Sequence, residues 1–225
     1  MGIFLRPLFY AIGMSGHSVR PGSGSSCSGP MYGIFGIGEK SETLMAHNDS
    51  SELLRAAVWI RPAGETLERI QKFVRLAHKH GGPGAHVPPH VTLLFGMETT
   101  RASAELKLKH LAARVKPFTV RLGKIEWHED YFHCLYATVE PSKEIAAAQR
   151  EAYDAFEMNP APPFAPHLSL LYGNLDEAVK KKLAAEAGNT LDLSFEARSV
   201  HLVNASTGVP VSEWHTLAEH PLARV

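Results

Sequence analysis

Residues 89–96 of the chain read Pro-His-Val-Thr-Leu-Leu-Phe-Gly, and residues 166–173 read Pro-His-Leu-Ser-Leu-Leu-Tyr-Gly. Five of the eight positions are identical; the other three exchange Val for Leu, Thr for Ser and Phe for Tyr. Both copies follow a Pro-rich approach, and each runs into a segment with helical character. A segment that recurs 77 residues on divides a chain into two related halves and limits the folds it can adopt to those with an internal repeat. An apolar run bounded by Pro and Gly reads as a buried strand.

Strand parity turns this repeat into chemistry. Side chains at i and i+2 share a face, about 7 Å apart. His90 therefore stands beside Thr92, and His167 beside Ser169. The opposite face sends Val91, Leu93 and Phe95 to the core, with Leu168 and Leu170 doing the same in the second copy. Each copy offers one imidazole and one hydroxyl to a common groove.

Composition narrows the classes of function. Hydrophobic residues at 44% and charged residues at 20% are globular values, enough for one sizeable core in 225 residues. The 23 basic side chains are balanced by 23 acidic ones. Gripping long nucleic acid requires a surplus of Lys and Arg, so no long nucleic acid is expected, and a small anionic ligand held by a few placed groups remains open. No apolar run reaches membrane-spanning length, which leaves no membrane partner to expect. Two cysteines, Cys27 and Cys134, are too few for a disulfide framework and fit a reducing compartment. The expected state is a cytoplasmic monomer.

Residues 1–53 differ from the rest. No Asp or Glu precedes Glu39, and Gly and Ser are dense. Such a segment buries too little apolar surface to offset its ordering entropy, so it is expected to be a disordered extension ahead of a single domain over 54–225. Arg6 and Pro7 interrupt its apolar start, which makes a poor signal-peptide core. An organelle transit peptide is the alternative. Asn48 and Asn204 begin glycosylation sequons, read as chance matches without a secretory signal.

Within the domain, Ala56–Ile60 reads as a strand and 65–80 as a helix with Leu67, Ile70, Phe73, Val74 and Ala77 on its apolar face. After the first repeat strand come a helix over 102–115 and strands over 118–127 and 131–139. Ser142 is the N-cap of a helix whose face is Ile145, Ala148, Ala152 and Phe156. After the second repeat strand, Asn174 and Glu177 look like a capping box for a fourth helix ending near Gly188. Alternation from Leu191 to Ala197, then strands over 200–203 and 214–218, complete the chain. The expected fold is α+β: two pseudo-symmetric lobes, an antiparallel sheet in each, helices outside and the active-site cleft between the lobes.

Two Pro-preceded H-x-[ST] motifs at this separation resemble the 2H phosphoesterase superfamily. None of the other histidines, of thirteen in all, is followed two positions later by Ser or Thr. The resemblance covers about residues 56–219. It includes Val58-Trp59 before a Pro, Leu193-Ser-Phe195 and Trp214-His-Thr216. Within the superfamily the chain looks most like the plant-type cyclic phosphodiesterases.

That resemblance implies opening of small cyclic phosphodiesters, ADP-ribose 1″,2″-cyclic phosphate and nucleoside 2′,3′-cyclic phosphates, with no metal and no cofactor. His90 and His167 would be general acid and base, with Thr92 and Ser169 holding the phosphoryl oxygens. The residue types suit this: imidazole titrates near pH 6.5, and hydroxyls donate to developing charge. The repeat itself does not say which histidine is the acid; the resemblance points to His90, leaving His167 as the base for water.

Trp59 matches a family tryptophan at the mouth of the site, and Tyr172 a tyrosine near the phosphate. Strict alternation sends Tyr172 to the opposite face, so it reaches the site only if the strand bends or ends before Gly173. For both aromatics the competing reading is the core. His128 reads as a surface or loop residue and Lys180-Lys181-Lys182 as a solvated helix face; His133 reads either as a loop residue or, with Tyr131, as lying on a strand at the edge of the cleft, with no role assigned. Rival functions are RNA 2′,5′-ligation or RNA-end processing by the same histidine pair, and a catalytically silent nucleotide-binding module.

Overall fold

The computed structural model describes residues 53–81, 87–159, 164–206 and 208–224, except the side chains of residues 80 and 81. The extension expected over 1–53 lies almost wholly outside the described residues. Strands β1 (Leu53–Ile60) and β2 (His90–Thr100) flank helix α1 (Gly64–Gly81), and α2 (Arg101–Arg114) follows β2. Then come β3 (Phe118–Glu126), β4 (Leu135–Val139), α3 (Lys143–Ala155), β5 (His167–Leu171) and α4 (Glu177–Glu186). Strands β6 (Ser194–Ala197), β7 (Ser199–Asn204) and β8 (His215–Pro221) end the chain.

The strands lie in the order β6-β3-β4-β5-β2-β1-β7-β8, every pair antiparallel. Each half supplies four strands, and each repeat strand is the innermost of its four. The repeat strands do not face one another across a gap. They sit side by side and pair through His90 with Ser169 and Val91 with Leu168, which joins the two halves into one sheet.

The helices obey the same pseudo-symmetry. Helix α1 packs on α4 and on β5, the other half's repeat strand; α3 packs on α2 and on β2. One core unites the apolar faces of all four helices with Val58, Ile60, Val91, Leu93, Leu168 and Leu170 of the sheet. The predicted face of α3 is buried throughout, and the Ser142 hydroxyl accepts from the Ile145 amide at 3.2 Å. A smaller cluster, built from Ala57, Trp59, Val87, Tyr172, Val203, Ala205 and Val211, is separate from that core.

Five expectations are corrected here. Strand β2 does not end at Gly96: two β-bulges leave Leu93 and Gly96 unpaired against β1, and Gly96 takes a φ of +79° that glycine tolerates without strain. The first bulge breaks the alternation. Leu93 and Leu94 are both buried, and Phe95 becomes partner to Ala57 with 47% of its surface exposed. Leaving such a ring in water forgoes roughly 1.5–3 kcal/mol, which burial of Leu93, Leu94 and Met97 offsets. Residues 131–133 form a 3₁₀ turn instead of a strand, because the Asp130 carboxylate accepts from the Phe132 amide at 2.7 Å. The N-cap of α4 is Asp176, not Asn174. Lys180 is buried on that helix, its ammonium donating to the His128 carbonyl at 2.7 Å.

Candidate active site

The junction of β2 and β5 gathers the repeat's polar side chains. Tyr136, Ser169 and His90 are successive cross-strand partners on β4, β5 and β2, so they share a face; Trp59 and Thr92 are partners one step along. His90 and His167, distant in sequence, thus lie on adjoining strands.

Both imidazoles are held by the same local device. A Pro at i−1 biases residue i−2 to extended backbone. The carbonyls of Pro88 and Ala165 then meet the rings of His90 and His167, at 2.7 Å and 3.1 Å from Nδ1. A carbonyl can only accept, so Nδ1 carries the proton in each ring and Nε2 keeps its lone pair.

Beyond this device the two histidines differ. His90 is 1% exposed. Trp59 stacks on its ring at 3.5 Å between centroids and 12° between planes. The Tyr172 hydroxyl lies 3.2 Å from both His90 Nε2 and Ser169 Oγ and links them. Burial drives the His90 pKa down to about 3 against the pull of the Pro88 carbonyl, and the charges of His167 and Arg61 push the same way. His167 is only half-buried, with the His133 and Tyr136 rings at 4.8 Å and 5.1 Å. Its pKa is also lowered, first by burial and then, after the opposing Ala165 carbonyl, by His133 and His128.

The two family aromatics part company. Tyr172 reaches the histidine side because a bulge leaves Leu170 unpaired and regular strand ends at Leu171, which resets the alternation. Burial lifts its phenol to about 12, so the hydroxyl stays protonated. Trp59, expected at the mouth, is instead buried beneath the site with one ring face against His90. It orients the imidazole, and no face is free for a base. Partly exposed aromatics stand nearby instead: Phe132 and Trp214 stack on each other at 5.9 Å and both lie edge-on to Tyr172. Among the described residues no cluster of three or more His, Cys, Asp or Glu side chains is arranged to hold a metal ion. Cys134 is a buried free thiol.

The profile of the 2′-5′ RNA ligase superfamily matches residues 59–208, which include both histidine motifs and the strands that carry them. The chain belongs to this superfamily, whose members are the 2H phosphoesterases. A cyclic phosphodiesterase of Arabidopsis thaliana is 28% identical over 146 residues, which cover 65% of this chain and 80% of that protein. A putative phosphoesterase of Bacillus anthracis is 31% identical over 96 residues, 41% of this chain and 56% of its own. Among solved structures, E. coli LigT complexed with 3′-AMP superposes with a TM-score of 0.56 at 19% identity, over 77% of this chain and all of that one. LigT in apo form gives 0.52 at 20%. At such identities these superfamily structures establish the fold.

Tyr136, Phe132 and His201 were not singled out in the sequence, and His133 was given no role. His133, read without a role as a loop residue or at the edge of the cleft, is carried to His167 by the 3₁₀ turn; an Asp two residues before the Phe132 amide was the available sign of that turn. His201 is buried on β7 as the cross-strand partner of Trp59, and nothing in its flanking residues marks it.

Proposed function

We propose that this protein is a metal-independent cyclic phosphodiesterase that opens small cyclic phosphodiesters, nucleoside 2′,3′-cyclic phosphates and ADP-ribose 1″,2″-cyclic phosphate, with His90 and His167 as its proton-transfer pair. Phosphodiester hydrolysis is the activity that membership of the superfamily and the named relatives support. The observation that carries the finer reading is the pair of matched imidazoles on adjoining strands, each with Nδ1 anchored to an i−2 carbonyl and Nε2 left to exchange a proton.

In this reading water attacks phosphorus and gives its proton to one imidazole. The bond from phosphorus to the departing ribose oxygen breaks, and the other imidazole protonates that oxygen. Thr92 and Ser169 donate to the non-bridging oxygens, and a nucleoside substrate leaves as its 2′-phosphate. The difference in burial favours His90 as the neutral partner that accepts and His167 as the partner that carries a proton. This is the reverse of the assignment the family likeness suggests. The Tyr172 hydroxyl stands where a reacting oxygen would meet His90 Nε2, so bound substrate takes its place there. Phe132, Tyr131 and Trp214 offer partly exposed ring surface for a nucleobase.

Incubation with adenosine 2′,3′-cyclic phosphate and ADP-ribose 1″,2″-cyclic phosphate, with and without chelator, tests this. Hydrolysis is expected with both and unchanged by chelator. His90→Ala and His167→Ala should each lower kcat by roughly 10²–10⁴, and the double variant should fall well short of the product of the two losses. Turnover that survives removal of both rings would sink the mechanism.

A further inference from the structure

The row of side chains through the site continues past the residues used for catalysis. On β1, Trp59 pairs with Thr92 and Ile60 with Val91. Strand β1 ends at Ile60, and continuing its register one residue further would bring Arg61 level with His90. The register against β7 ends where Trp59 pairs with His201, and its continuation would bring Arg61 level with Ser199 on its other side. Two residues beyond Trp59, Arg61 shares Trp59's face. Its charge acts on His90 and His201, and Glu219 acts on it in turn.

Arg61 is half-buried. The arginines in ion pairs among the described residues are Arg55, Arg101, Arg114 and Arg198, and Arg61 is not one of them. His201 beside it is buried, with Nε2 at 3.1 Å from the Ser199 hydroxyl. Its Nδ1 is buried without a hydrogen-bond partner; the nearest carboxylate oxygen, on Glu219, is at 3.7 Å. A buried polar nitrogen without a partner is a cost that a bound group would relieve. Glu219 is 57% exposed, where solvent screens its charge. The half-buried guanidinium therefore sets the sign of the field within the site.

We propose that Arg61, with His201 beside it, forms a subsite for a second anionic group of the substrate, a phosphate remote from the ring that is opened. This rests on the catalytic reading above, which places the reacting phosphorus over Ser169 and Thr92. Arg61 is two strands from Ser169, about 10 Å. A phosphate at the 5′ end of the same nucleoside, or one in a pyrophosphate link, has that kind of separation from the cyclic phosphate. The planar guanidinium suits phosphate oxygens in pairs, which an ammonium does not.

The test compares two ligands that differ only in the remote group. Affinities of the full-length chain for adenosine 2′-phosphate and adenosine 2′,5′-bisphosphate are measured by calorimetry, alongside kcat/KM for adenosine 2′,3′-cyclic phosphate with and without a 5′-phosphate. The 5′-phosphorylated form of each is expected to be favoured about tenfold. Arg61→Gln should erase that preference, and Arg61→Lys should restore only part of it. No preference in the unaltered protein, or equal weakening of both ligands in Arg61→Gln, overturns the proposal. A protein that binds the bisphosphate through Arg61 but opens no cyclic substrate would uphold the subsite and refute the catalytic reading. Melting temperatures show whether either variant is folded, and the Lys form keeps the charge if the Gln form is not.

Discussion

The two repeats place an imidazole and then a hydroxyl in the same order, yet they build unequal surroundings. In the first, His90 is sealed against Trp59, and its Nε2 meets the Tyr172 hydroxyl from the other half. In the second, His167 is half-open and faces two further rings, His133 and Tyr136. The hydroxyls are unequal in a complementary way. Ser169 is buried and linked through Tyr172 to His90, whereas Thr92 is only partly covered. Sequence symmetry supplies two proton-transfer groups, and the difference in burial gives them different proton affinities. A pair with identical affinities would have no built-in direction.

Three experiments break or sharpen this contrast. The largest effect is expected from the hydroxyls. Ser169→Ala removes a buried donor and the link to His90 together, and should lower kcat by roughly 10²-fold, while Thr92→Ala costs roughly tenfold. Equal losses would mean that the halves act alike despite their surroundings.

Next in size is stability against pH. In the unfolded chain His90 titrates near 6.5, and in the folded chain at about 3. Between those values the unfolded chain binds a proton that the native one refuses, so stability falls as pH drops below 6.5 and is recovered above it. One proton amounts to at most about 1.4 kcal/mol per pH unit. From pH 6.5 to 5 the unaltered protein should lose up to about 2 kcal/mol more than His90→Leu, read from urea unfolding at each pH. Parallel curves would show that His90 is less sealed than its contacts indicate.

The smallest effect concerns His167. Its lowered pKa puts the alkaline limb of kcat/KM below pH 6.5 if it carries the proton. His133→Gln removes one of the charges that lower it, so the limb should move to higher pH while the acid limb stays. Movement of the acid limb instead would make His167 the base.

The repeat announced the strands, the paired imidazoles and the hydroxyls beside them, because a period of two and a Pro before each His are local properties. Ser142 and the apolar face of α3 were legible for the same reason. What escaped the sequence was set by partners far along the chain. The unpaired Leu93 and Leu170 each reset the alternation, turning Phe95 out to solvent and bringing Tyr172 in to His90. A bulge depends on the strand opposite, and its own residues do not mark it. The burial of Lys180 likewise depends on a carbonyl 52 residues away.

Each crossover helix rests on the opposite half's repeat strand, α1 on β5 and α3 on β2. The halves are therefore interlocked like clasped hands, although only two residue pairs join their sheets. Excising either half would strip α1 or α3 of the strand and the helix it rests on in the other half. The seam that carries the chemistry is stiffened by a grip that lies wholly behind it.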